Sequence, residues 1–130
     1  MSPPPRQNRG VRVLDENTVL DRQQLRDVTL DDEELMQEVL AALLDDTSAQ
    51  VGMLDAAIRE HDPKKTMRLA HYCKGACANL GANAVATALQ RMEHAAARES
   101  FDECASELGT LAGELEKLRL EVESADRRSA

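Results

Sequence analysis

Cys104, Leu108, Leu111, Leu115, Leu118 and Val122 recur in alternate steps of four and three, the spacing that lines one side of an α-helix along its whole length. A helix cannot cover such a stripe itself, so this one has to be buried against other elements. The same period runs earlier through Leu35, Val39 and Leu43, flanked by Met36, Leu40 and Leu44. It continues through Val51, Leu54 and Ile58, and again through Val85, Leu89, Met92 and Ala96. With no Trp, one Phe and one Tyr, these faces meet as Leu, Val, Met, Ile and Ala, a set that favours helix on helix. The chain of 130 residues has room for one domain with one core.

The punctuation between the stripes sets the order. Thr18 can cap a short helix to Asp27, with Asp21 in its first turn and Leu20 and Leu25 on one side. Thr29 followed by Asp32 reads as the next start, and Asp31, Asp32, Glu33 and Glu34 put negative charge at the helix end that favours it. Asp45-Asp46-Thr47-Ser48 interrupts the apolar pattern and predicts a kink or a break into two helices. Asp62-Pro63 is a sharp start, because Asp suits the N-cap and Pro the first helical position. Gly81 can close that helix in the left-handed conformation, Asn83 can cap the following one, and Ser100 with Glu103 forms a capping box for the last. Four long amphipathic segments with short connections predict an all-α fold: an up-and-down antiparallel four-helix bundle with one or two additional N-terminal helices. The bundle spans residues 16–124, with a flexible proline-rich tail over 1–15 and a frayed end over 125–130.

The formal net charge of -8 and a pI of about 4.9 argue against nucleic acid or an anionic membrane as partner. Three cysteines, no apolar span and no signal segment fit a reducing cytoplasm. No glycine-rich phosphate loop, Gly-x-Ser-x-Gly or His-Glu-x-x-His occurs, so the sequence supplies no ATP site of its own. Cys73 and Cys77 fall on a core stripe and read as small buried hydrophobes rather than metal ligands. His61 and His94 read as surface residues, and the acidic run 31–34 as a helix start.

His71 is different. On a helix from Pro63 to Leu80 the apolar residues Leu69, Cys73, Ala76, Cys77 and Leu80 share one face, and His71 lies about 200° from Leu69. Its neighbours at helical spacing are Met67, Arg68, Lys74, Gly75 and Ala78. The result is an exposed imidazole with small residues and cations around it. Gly75 asks for a steric reason, since glycine inside a helix costs about 0.5–1 kcal/mol relative to Ala.

His71-x-x-Lys74-Gly75, with Ala70 before it and Leu80-Gly81-Ala82 after it, resembles the signature of histidine-containing phosphotransfer (Hpt) domains. The resemblance runs from about Val19 to Val122 and takes in Leu43, Val51, Leu54, Ala57 and Asp62, and later Leu89-x-x-Met92-Glu93. It departs at Leu43, Ser48, Cys73 and Cys77, all packing positions. The resemblance implies a phosphorelay intermediate: His71 accepts a phosphoryl group from the phospho-aspartate of a receiver domain and passes it to another receiver. In that reading Lys74 is a cation near the phosphoryl oxygens, Gly75 leaves steric clearance, and Met67, Arg68 and Ala78 meet the partner. It implies no cofactor or metal in this chain, with Mg²⁺ held by the receiver, and a monomer that is not itself a kinase. Two other readings stay open: the phosphorylation domain of a chemotaxis-type histidine kinase, whose dimerisation and ATP-binding parts are missing from this sequence, and a structural or adaptor bundle.

Overall fold

The computed structural model describes residues 16–129, with side chains through Ser124. The tail expected over 1–15 lies outside the described residues, as do the side chains of 125–130. Among the described residues five helices follow in order: α1 (Arg22–Val28), α2 (Glu33–Arg59), α3 (Pro63–Asn79), α4 (Asn83–Ala97) and α5 (Phe101–Ser129). No strand occurs among the described residues. Packing runs α2 on α3, α3 on α4, α4 on α5 and α5 back on α2, with α3 and α4 the most extensive pair and α1 set against α3. This is the anticipated four-helix bundle, with one extra N-terminal helix.

The stripes read from the sequence converge in one core. Leu54, Leu89, Met92, Leu111 and Leu118 are fully buried together with Val85, Cys73, Cys77 and Cys104. Each large aliphatic side chain taken out of water contributes about 1.5–3 kcal/mol, so the core needs no aromatic ring. At the bundle's end His61 stacks on Phe101 with ring centroids 4.7 Å apart.

All four junctions close in one way. The residue two beyond the C-cap donates its amide into the preceding helix: Asp31 to Arg26, Asp62 to Ala57, Ala82 to Cys77 and Ser100 to Ala95. The residue between is left-handed, with φ of 54° at Leu30, 55° at His61, 87° at Gly81 and 57° at Glu99. This is the closure that satisfies orphan carbonyls at a helix end. Only Gly81 announced it in the sequence.

Several start signals read from the sequence work differently. No break occurs at Asp45–Ser48, and α2 is one helix of 27 residues. Asp45, Asp46 and Ser48 face solvent while Thr47 is buried on the stripe of Leu40, Leu43 and Leu54, so the inward period is never interrupted and packing overrides weak cap preferences. Asp21, not Thr18, caps α1, accepting from the amide of Gln24. Thr29 ends α1, its hydroxyl donating to the Leu25 carbonyl, and Asp32 alone caps α2. Asn83 is the first residue of α4 rather than its cap. The amide of Ala84 donates instead to the Thr18 carbonyl at 2.9 Å, while the amide of Asp21 donates to the Gly81 carbonyl at 2.8 Å. The segment before α1 thus seals the α3–α4 turn. At α5 the Ser100 hydroxyl donates to the Glu103 carboxylate at 2.9 Å, so that pair meets side chain to side chain.

Candidate functional site

Asp62 starts α3 as expected, accepting from the amide of Lys65, with Pro63 in the first turn. Thr66, Ala70, Cys73 and Cys77 turn inward, which fixes the rotation of the helix and aims His71 outward. The His71 side chain is 68 % exposed. Arg68, Tyr72, Gly75 and Ala78 are exposed on the same helix, while Met67 is half-buried and packs against the core. Of the surface expected to meet a partner, Arg68 and Ala78 are therefore open and Met67 only in part.

A carboxylate that helix α3 alone could not reveal completes the site. Glu93 of α4 stands between the His71 and Lys74 side chains, with Oε2 3.1 Å from His71 Nδ1 and Oε1 accepting from Lys74 Nζ at 2.8 Å. Burial alone would raise the pKa of Glu93. The hydrogen bond and charge of Lys74, then those of His71, outweigh it and hold the carboxyl below its ordinary range. An ionised carboxylate has no proton to give, so Nδ1 must be the donor, and in the neutral ring the lone pair is left on Nε2. Lys74 is correspondingly not the free cation its sequence position suggested. Its side chain is 25 % exposed and already paired. The signal for Glu93 was one step past core Met92, at the rim of the α3–α4 seam.

A Cβ built on Gly75 meets nothing within 4 Å. Gly75 also opens onto a groove between α3 and α4 lined by Lys74, Ala78, Asn83 and Ala86. The missing side chain is therefore not required by packing among the described residues. Cys73, two residues from His71, is no rival nucleophile. Burial, with Cys77 and Asp46 nearby, pushes its thiol up to about 12, and burial raises Cys77 to about 11, so both stay protonated. His61 and His94 are exposed, as read from the sequence. No cluster of three or more His, Cys, Asp or Glu that could hold a metal occurs among the described residues, and none of the described helices is long and apolar enough to cross a membrane.

Solved structures share this architecture. Histidine-containing phosphotransfer protein B (HptB) from Pseudomonas aeruginosa superposes with a TM-score of 0.78 at 21% identity, over 86% of this chain and 97% of that one. A histidine-containing phosphotransfer protein from rice gives 0.74 at 19% identity, over 82% and 78%. ZmHP2 from maize gives 0.71 at 22%, over 82% and 86%. At these identities the likeness speaks for the fold. No curated protein sequence matches the chain. The family model of the Hpt domain matches residues 38–126, a span that holds the histidine helix and both of its flanks. The chain therefore belongs to the Hpt domain family and has a histidine phosphotransfer role in phosphorelay signalling.

Proposed function

We propose that His71 is the residue that carries the phosphoryl group, with Nε2 as the attacking atom and Glu93 as the group that orients the ring. The observation that carries this reading is the Nδ1 contact to an ionised carboxylate. It leaves the lone pair of an exposed ring nitrogen with no proton to remove before attack. In the transfer, Nε2 bonds to phosphorus as the acyl-phosphate P–O bond breaks, and the electron pair of that bond leaves with the aspartate carboxylate of the receiver. The ring gains positive character, which Glu93 offsets across the Nδ1–H bond. The reverse step returns the phosphoryl group to a second aspartate, and the Nε2 lone pair is restored.

Lys74 sits where its ammonium can swing from Glu93 towards the phosphoryl oxygens, and such charge on non-bridging oxygens is what phosphoryl transfer responds to. Gly75, one turn beyond His71, leaves room for the phosphoryl group and for the incoming surface. Arg68, Ala78 and the exposed edge of Met67 belong to that docking face. The reading includes Mg²⁺ in the receiver rather than in this chain. It also includes a cytoplasmic monomer that transfers phosphoryl groups without using ATP.

The test is incubation with a phosphorylated receiver, followed by peptide mapping and nitrogen NMR of the product. An acid-labile label on His71 at Nε2 is expected. Label on His61 or His94, or on Nδ1 of His71, would overturn the assignment.

A further inference from the structure

Beyond its N-cap Asp62, the charges in the first turn of α3 run against the helix dipole. A helix favours anions at its N-terminus and cations at its C-terminus, and α2 opens on Glu33 and Glu34 and α5 on Asp102 and Glu103. Helix α3 opens on Lys64 and Lys65, with no acid in its first turn and no base in its last. Local stability therefore gives no reason for these two lysines. Nor does pairing: among the described residues no ion pair or hydrogen bond takes up the side chains of Lys64, Lys65 or Arg68, whereas Lys74 is held by Glu93.

Their position supplies a reason. Lys64 is seven residues before His71 and so lies on the same line of the helix, two turns away, and Arg68 lies one turn away. Lys64 and Arg68 are exposed, and Lys65 is half-buried beside them. Residues 63 to 97, which make up α3, α4 and their turn, carry five cations against the single acid Glu93, inside a chain whose net charge is -8. The cationic strip is thus local, and it leads along α3 to the histidine.

We propose that Lys64, Lys65 and Arg68 form a docking strip that binds an acidic patch on the receiver domain, next to the aspartate that exchanges phosphoryl with His71. The proposal rests on the phosphotransfer reading of His71 and adds the charge that selects and recruits the partner. A compact protein with a local acidic patch can engage the strip within a screening length of about 8 Å at physiological salt. A long polyanion would also meet the acidic remainder of the molecule. Complementary charge of this kind acts mainly on association rate and partner choice.

The test uses the full chain with Lys64→Glu, the Lys64→Glu/Lys65→Glu pair, and Lys117→Glu on α5, across the bundle from α3, as a control equal in charge change to the single variant. Transfer from a phosphorylated receiver and receiver binding by titration are measured across a range of salt. The pair should lower kcat/KM at low salt by at least about 10-fold, chiefly through KM, and should flatten its salt dependence. Lys117→Glu should stay within about twofold of the parent. Thermal melts of the Lys64 variants should match or exceed the parent, because an acid at that helix position complements the dipole. Receiver binding that treats Lys64→Glu and Lys117→Glu alike overturns the strip. Charge-dependent binding without transfer from any receiver sinks the phosphotransfer reading and leaves the strip standing. Binding of the parent to phosphatidylserine vesicles or duplex DNA, lost in the pair, overturns the assignment to a protein partner.

Discussion

Gly75 and Gly81 lie six residues apart and belong to different problems. A Cβ at Gly75 would meet nothing within 4 Å, whereas one at Gly81 would lie 2.6 Å from the Asp21 carbonyl oxygen on a backbone with φ of 87°. The glycine at the turn is demanded by the chain itself: it closes α3 and lets the segment before α1 seal the α3–α4 junction. The glycine beside His71 is demanded by no packing among the described residues, although it weakens its helix. The region around Gly75 is thus free of the constraint that the fold places on the region around Gly81, and the proposed function assigns that freedom to an incoming partner. Substitutions in the two regions should accordingly separate activity from stability.

The widest separation is expected at His71. His71→Gln removes an exposed side chain with no core contact, so stability should change by no more than about 0.5 kcal/mol. A carboxamide has no nucleophilic ring nitrogen, and acid-labile labelling from a phosphorylated receiver should vanish altogether. Residual labelling in a folded variant would mean that another residue carries the group.

Gly75→Leu comes next. Its side chain finds open space within the protein and a better helix former replaces glycine, so the melting temperature should hold or rise, by the equivalent of about 0.5–1 kcal/mol. Transfer should fall by about 100-fold, because the new side chain stands one turn from the phosphoryl group. Parental transfer rates would remove the steric role. Gly81→Ala should give the opposite pattern. Left-handed backbone costs a residue with a Cβ roughly 1–2 kcal/mol, and displacement of Asp21 adds to that, so denaturant melts should report a loss of about 2 kcal/mol or more. Once folded, the variant should transfer phosphoryl near the parental rate. A loss of transfer larger than the loss of folded protein would join the two regions that the glycines divide.

The comparison also marks what the sequence could reveal. Periods of three and four residues exposed the helices and the core, because burial acts on every turn and leaves a repeated trace. Gly81 was legible since its conformation excludes most residues. The other three junctions were not: Leu30, His61 and Glu99 adopt the left-handed state with no glycine to mark it. The carbonyl of Thr18 that serves α4 is backbone, which carries no residue-specific sign. At the candidate site, the placing of His71, Lys74 and Gly75 on one exposed side of α3 could be read from one helix. Glu93 could not, since its contact with them exists only once α4 packs on α3.

That contact yields the smallest effect. The Glu93 carboxyl is held below its ordinary pKa by Lys74 and His71 despite partial burial. A carboxyl with a depressed folded pKa contributes stability above its unfolded value, near 4.5, and loses it as the pH falls through the lower folded value. Glu93→Gln should therefore be less stable than the parent at pH 7, by less than about 1 kcal/mol because solvent screens a partly exposed pair. The two melting curves should converge below pH 4.5 as the parent carboxylate takes up its proton. High salt should narrow the gap at pH 7 in the same direction. A difference that stays constant from pH 7 to acid would trace it to packing rather than charge, and the ionised carboxylate that directs Nε2 outward would lose its support.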